Sequence, residues 1–182
     1  MITLDKGILT LDIVNCHFIE DVPFYCNLDV FVLKLKQGKL QQKKDLVFYN
    51  NISDAACSVK FLAVGDIDYD CDHRIYFNIS SLTPETDEVI VVCVPELPSH
   101  THSSNHGFFQ IKATLKESLA SEHRMKHTVL DTVDFSISAT PIIIMQLCKH
   151  KQKEFLLEFP NLKLSQSIED FIKNHEPTTF LN

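Results

Sequence analysis

The chain has 182 residues, of which 45% are hydrophobic, and its formal net charge is −7 at pH 7. This length and composition suit one domain with a sizeable core, and the negative charge argues against a general surface for nucleic acid or anionic membrane, because both need clustered cations. The N-terminus lacks the pattern of a signal peptide and no apolar run reaches the length of a membrane span, so we expect a cytosolic protein. The 6 Cys stand singly, as reduced core thiols do.

The first half of the chain alternates short apolar runs with turn residues, which predicts β-strands. A Lys6-Gly7 turn separates the first two strands, and Gln37-Gly38 ends the third. The strands predicted in this half are residues 2–4, 8–18, 28–35, 46–49 and 74–79.

The second half predicts further strands and one late helix. Residues 88–94 are the most apolar run and should lie at the centre of a sheet, whereas residues 109–116 alternate as a half-buried strand does. Residues 142–147 and 155–159 predict a hairpin, and residues 118–126 suit one or two helical turns. A long loop is expected over residues 95–107.

The tail carries the signals of a capped amphipathic helix over residues 167–174. Ser167 and Asp170 have the spacing of a capping box, and four apolar residues fall on one face, namely Leu164, Ile168, Phe171 and Ile172. Many evenly spaced strands with one late helix predict an all-β fold, a β-sandwich of two mainly antiparallel sheets with a C-terminal helix.

An acidic stretch interrupts the middle of the chain, with carboxylates at Asp66, Asp68, Asp70 and Asp72. Neighbouring charges about 7 Å apart repel by roughly half a kcal/mol in water, and calcium would remove that cost. An EF-hand does not fit, since Cys71 and not glycine stands at the turn position. The alternative is the solvated face of one long strand, because the apolar residues from 67 to 79 keep a period of two.

Several segments together resemble the TerD family of tellurium-resistance and stress proteins. The segments that carry the resemblance are Ile2-Thr3-Leu4-Asp5-Lys6-Gly7, Asn27-Leu28-Asp29-Val30-Phe31-Val32-Leu33, Gly38-Lys39-Leu40, Leu46-Val47-Phe48-Tyr49-Asn50-Asn51, Val64-Gly65-Asp66, and Asp72-His73-Arg74-Ile75-Tyr76-Phe77-Asn78-Ile79-Ser80. Gly107-Phe108 and residues 142–159 match the family's later strands, so the resemblance covers residues 1–160 as a TerD-like domain. Residues 161–182 are then a helical extension of that domain.

The resemblance implies a two-sheet sandwich that binds calcium through acidic loops at one end. Carried over position by position, the family's ligand motifs fall on Asn27 and Asp29 and on Asp66 and Asp72, and a shortened acidic stretch between the latter two carries Asp68 and Asp70. The sequence departs from the family pattern in four places, with Asn27 for an Asp, Ile67 for an Asn, and Cys71 and His73 for acidic residues. Each lost carboxylate weakens calcium binding, so a divergent member that has lost its metal sites and acts as a protein-interaction scaffold is the alternative.

The function expected from this resemblance is that of a non-enzymatic, calcium-binding interaction domain in a stress or tellurite-resistance response. Its partners would be other Ter-type stress proteins and an integral membrane component, with the chain in the cytoplasm or peripheral at the inner face of a membrane. A C2-like, calcium-dependent membrane-docking module is a further alternative. A metallo-enzyme using His100, His102 and His106 is the third hypothesis, although enzyme motifs such as Gly-x-Ser-x-Gly and Walker A are absent.

Two smaller expectations concern charge and thiols. The dense basic stretches are residues 34–44 and 149–153, and both predict hairpin ends. Asp45 beside Lys43 and Lys44 suggests a surface ion pair of little energetic value. Cys93, within the most apolar strand, should be an inert core thiol, and the acidic neighbours of Cys71 should disfavour its thiolate.

Overall fold

The computed structural model describes residues 2–4, 6–17, 27–62, 71–82, 85–96, 109–121, 124–137, 140–151 and 154–176. Within these ranges the chain forms strands β1 to β13 and one α-helix, α1. The strands are Ile2–Leu4, Ile8–His17, Asn27–Lys36, Lys39–Leu40, Leu46–Val47, Val59–Leu62, His73–Asn78, Glu88–Glu96, Phe109–Ser121, Arg124–Ile137, Ile142–Lys151, Glu154–Glu158 and Leu162–Lys163, and α1 is Ile168–His175. Short 3₁₀ turns cover Lys43–Asp45 and Ile79–Ser81.

The strands form two antiparallel sheets, as a sandwich requires. The first sheet has the order β1-β12-β11-β8-β3-β4, with β13 paired to β11 and β5 paired to β3. The second sheet has the order β10-β9-β2-β7-β6. The prediction of an all-β sandwich with a C-terminal helix is therefore confirmed.

Two apolar layers follow from the alternation of side chains along these strands. The main core lies between the sheets, where β2 contributes Leu9, Leu11 and Ile13, all fully buried. A second core lies on the outer face of the first sheet, where Leu33 and Val92 pack beneath the helix. The molecule therefore has three layers, with the first sheet in the middle.

β8 is an interior strand, as its apolar sequence predicted. It pairs with β3 on one side and β11 on the other, and Val89, Val91 and Cys93 are completely buried between the sheets. Its alternate residues Ile90 and Val92 face the second core. Burial on both faces explains why the run carries no polar alternation.

The helix begins and packs as its sequence predicted. The hydroxyl of the N-cap residue Ser167 accepts a hydrogen bond from the backbone N–H of Asp170 at 3.1 Å. Ile168 and Phe171 are buried against the first sheet. Among the described residues, no helix is both long enough and apolar enough to span a membrane.

Residues 118–121 and 124–126 are strand, so the prediction of helical turns there was wrong. β9 continues to Ser121 and pairs with β10, which begins at Arg124. On its other side, residues 115–118 of β9 pair with the first part of β2. Pairing with neighbours on both sides outweighs a local helical preference of this size. β6 and most of β10 were not predicted from the sequence. The loop predicted over residues 95–107 was wrong for Pro95 and Glu96, which pair with β3 as the end of β8, and residues 97–107 lie outside the described residues.

Candidate functional site

The predicted calcium ligands that the structure describes lie at the starts of two strands. Asn27 and Asp29 stand in the first three residues of β3, and Asp72 directly precedes β7. The backbone N–H of Asp72 donates to the carbonyl of Ile13 at 2.9 Å, which anchors this position to β2. Asp66, Asp68 and Asp70 lie outside the described residues.

His73, the first residue of β7, joins these two strand starts. Its imidazole donates a hydrogen bond to the backbone carbonyl of Leu28 in β3, although β3 and β7 belong to different sheets. Asp29 lines the same cavity as His73, Asp72 directly precedes His73 in the chain, and the charges of both carboxylates act on the ring. We call the region of Asn27, Asp29, Asp72 and His73 the β3/β7 end.

The pKa of His73 is lowered because burial disfavours the imidazolium, and the two nearby carboxylates only partly offset this effect. The ring is therefore neutral near pH 7. Its Nδ1 is buried and has no hydrogen-bond partner among the described residues. An acceptor that is buried without a hydrogen bond costs about 1–3 kcal/mol.

The oxygen donors at the β3/β7 end suit calcium in kind but not in number. Asn27, Asp29 and Asp72 offer an amide oxygen and two carboxylates, whereas calcium takes about six to eight oxygen ligands. No group of three or more His, Cys, Asp or Glu in the described part of the chain could hold a metal ion. A complete shell would therefore need the acidic residues between 66 and 70.

An apolar cavity of about 250 Å³ adjoins this end. Its lining residues are Leu28, Asp29, Val30, Tyr49, Ile52, Phe61 and His73. Tyr49 and Ile52 are 61% and 52% exposed, so two large apolar residues face solvent at this cavity. The cavity therefore combines an exposed apolar rim with a carboxylate and a neutral imidazole.

Asp12 lies on the outer face of the second sheet and is held by two cations. Arg74 donates to Asp12 from Nε and, at 2.8 Å, from Nη2, and the Nζ of Lys116 lies 2.6 Å from the same carboxylate. Burial alone would raise the pKa of Asp12, but these hydrogen bonds and charges outweigh burial and lower it. The cluster is internally satisfied and has the properties of a structural cross-strand network.

Asp45 is buried and pairs with Lys34, so the expectation of a surface pair with Lys43 and Lys44 was wrong. The Nζ of Lys34 lies 3.1 Å from Asp45 and 2.5 Å from Asp54, and all three side chains are at most 7% exposed. Burial would lower the pKa of Lys34, but the two carboxylates raise it. The sequence could not reveal this triad, because the pairing depends on how residues 42–59 fold back over β3.

The described thiols differ in exposure: Cys71 and Cys93 are buried, Cys148 is partly buried and Cys57 is exposed. Burial raises the pKa of Cys93, which is completely inaccessible, and burial with the charges of Asp12 and Asp72 raises the pKa of Cys71. Burial likewise raises the pKa of Cys148. Thiolates are therefore scarce at these three positions near pH 7.

Comparison with known proteins gave no match to any family model. A segment of 51 residues, 28% of the chain, is 29% identical to NACHT, LRR and PYD domains-containing protein 4C of Mus musculus. The match spans 5% of that protein's length, so it describes neither the fold nor the function of this chain.

Solved structures resemble the chain over nearly its whole length. One is a homologue of the telluride resistance protein TerD from Streptomyces coelicolor A3(2), with a TM-score of 0.59 over 94% of this chain and 99% of that one, at 13% identity. Another is a protein of unknown function, with a TM-score of 0.63 over 96% of this chain and 100% of that one, also at 13% identity. The shared architecture at so low an identity shows that this chain is a divergent β-sandwich with the TerD-like fold.

Proposed function

We propose that the chain is a divergent TerD-family protein that works without catalysis, as a calcium-responsive interaction domain in a stress or tellurite-resistance response. The observation that carries the proposal is the TerD-like fold, which extends over 94% of the chain in the comparison with the TerD homologue. Its setting would be the cytoplasm or the inner face of a membrane.

The calcium ion would bind at the β3/β7 end. Asn27, Asp29 and Asp72 would supply part of the shell, and Asp66 with Asp68 or Asp70 would supply the rest. The proposal is supported by two placements: Asp29 lines the same cavity as His73, and Asp72 directly precedes His73 in the chain. Carboxylates that a fold brings together gain from a shared cation.

The partner-binding surface would be the apolar cavity next to this end. Exposed Tyr49 and Ile52 are suitable anchors for a protein contact, since interfaces favour large side chains at their centre. Calcium bound beside Asp29 would change the charge at the cavity's edge. The proposed partners are other Ter-type stress proteins and an integral membrane component.

The test is thermal unfolding with calcium, magnesium or neither. At a free calcium concentration ten times the dissociation constant, binding stabilises the native state by about 1.4 kcal/mol. For a chain of this size the expected rise in Tm is about 3–6 °C. Magnesium should have a smaller effect, because it demands octahedral geometry and keeps its water.

The double change Asp66→Asn with Asp72→Asn should abolish the calcium effect. Asp134→Asn is the matched control, because Asp134 is exposed on β10 in the second sheet and should leave the effect intact. If the wild type shows no shift at several millimolar calcium, or the double variant keeps its shift, calcium binding at this end is refuted. Calcium-dependent sedimentation with anionic liposomes would instead support the C2-like alternative.

A further inference from the structure

We propose that the cavity between the end of α1 and residues 40–51 is a binding site for a small amphipathic carboxylate, a molecule with an apolar chain or ring and a single anionic head. This site is separate from the β3/β7 end and does not depend on calcium. The proposal rests on the cavity's size, its apolar wall and the pair of lysines at its rim.

The cavity has the size and character of a small-molecule site. Its volume is about 490 Å³, within the range of roughly 300–1,000 Å³ that is typical of ligand pockets. Leu40, Leu46 and Phe48 form its apolar wall. Leu46 and Phe48 are only partly buried, so a ligand's apolar body would remove their exposed surface from water.

The charged rim is selective for one negative charge. Lys43 and Lys44 carry two positive charges at the rim, and Glu176, directly after the helix, carries one negative charge. Neither lysine has an ion-pair partner among the described residues, since every pair found there involves other side chains. The net local charge of +1, in a chain with a net charge of −7, complements a monoanion.

The other lysines of the same basic stretch are already engaged. Lys34 is buried between two carboxylates, and Lys36 pairs with Glu85 at 3.5 Å. The Nζ of Lys39 donates to the backbone carbonyl of Asn174 at 2.5 Å, which ties the end of α1 to β4. Lys43 and Lys44 are thus the cations that this stretch leaves for a ligand.

The buried triad fixes the backbone of the turn that carries these two lysines. Asp45 follows them directly, and its carboxylate accepts hydrogen bonds from the backbone of Gln42 at 3.1 Å and contacts Lys34 at 3.1 Å. Asn51 donates from Nδ2 to the carbonyl of Leu46 at 2.5 Å, which closes the loop that carries Phe48. Because the backbone of the turn is already fixed, ligand binding has to order only the two lysine side chains.

The test is isothermal titration calorimetry with decanoate below its micelle concentration, beside decanol and decyltrimethylammonium as neutral and cationic probes of similar length. The expected result is saturable binding of one decanoate per chain, with both other probes weaker by roughly tenfold or more, because a charged hydrogen bond is lost. Equal binding of the three probes would overturn the charge selectivity, and no decanoate binding at millimolar concentration would overturn the site.

Variants at the rim then locate the site. Lys43→Gln with Lys44→Gln should weaken decanoate binding by at least tenfold, and Glu176→Gln should strengthen it, because it removes a repulsive charge beyond the end of the helix. Lys60→Gln, at an exposed position of β6 in the other sheet, is the matched control. Unchanged affinity in the double lysine variant, or weaker binding in Glu176→Gln, would contradict the proposal.

Discussion

The ammonium group of Lys34 pairs with the buried carboxylates of Asp45 and Asp54, and Asp54 is fully enclosed. Asp54 is 0% exposed at its side chain and also accepts hydrogen bonds from the hydroxyl of Ser58 at 2.7 Å and the backbone of Val59 at 2.9 Å. The carboxylate of Asp54 therefore stabilises both the ion pair with Lys34 and the turn that leads to Val59. The triad connects residues 42–59 to β3 and so positions both cavities beside that segment.

Replacing Asp54 by Asn should destabilise the protein by about 3 kcal/mol, because it leaves Lys34 buried with a single carboxylate. The measurement is urea unfolding at pH 7. Asp134→Asn, at an exposed position, should change the free energy of unfolding by no more than about 0.5 kcal/mol. A loss at Asp54 as small as that of the control would show that the triad contributes nothing.

Stability should also fall in acid, because the folded-state pKa values of Asp12 and Asp54 lie below the ordinary value. For a lowered carboxyl pKa the stabilisation is complete above the unfolded pKa of about 3.9 and is lost as the pH falls through the folded pKa. Asp12→Asn should therefore flatten the decline of the unfolding free energy below about pH 5. An identical slope in wild type and variant would exclude a role for Asp12 in this pH dependence.

Individual side-chain partners were the least predictable feature of this sequence. Asp12 could be recognised as unusual, because Asp is depleted within strands, but its cations Arg74 and Lys116 come from 62 and 104 positions away. Their meeting is decided by the register of β2 against β7 and β9. Local spacing contains no information on that register.

At the scale of single elements, α1 covers an apolar face that would otherwise be open. Phe171→Ala should cost about 3–5 kcal/mol, because Phe171 is 6% exposed and packs over Leu33 and Val92. Ser167→Ala should cost about 1 kcal/mol through loss of the N-cap. The measurement is thermal or urea unfolding, and a loss below 1 kcal/mol in Phe171→Ala would mean that the helix is not packed on the sheet as described.

Elements with a strong local signal were predicted, and those defined by their neighbours were not. The apolar run of β8 and the cap of α1 are local features, and the structure confirmed both. The end of β9 and the start of β10 contain polar and apolar residues without a clear alternation. These segments are strands because β9 pairs with β10 on one side and with β2 on the other. Pairing between strands that are distant in sequence depends on the whole sheet, so a local pattern does not predict it.

At the scale of the whole molecule, the sandwich was predictable because strand number and spacing restrict the architecture, and the resemblance to TerD proteins implied the same two-sheet sandwich. The calcium site is a harder problem. Asn27 and Asp29 are separated from Asp72 by more than 40 positions, so a shared ion would require the two sheets to meet at this end. Neither cavity has a sequence signal, because each forms where residues 40–53 pack beside distant strands or the helix.

Direct metal analysis of the purified protein is the simplest test of the proposed calcium binding. After equilibrium dialysis against several millimolar calcium, we expect calcium above the level of the buffer in a fixed ratio to protein, and loss of that excess in the Asp66→Asn with Asp72→Asn variant. Asp134→Asn should retain it. Bound zinc or iron in place of calcium, or no excess calcium under these conditions, would contradict the proposal.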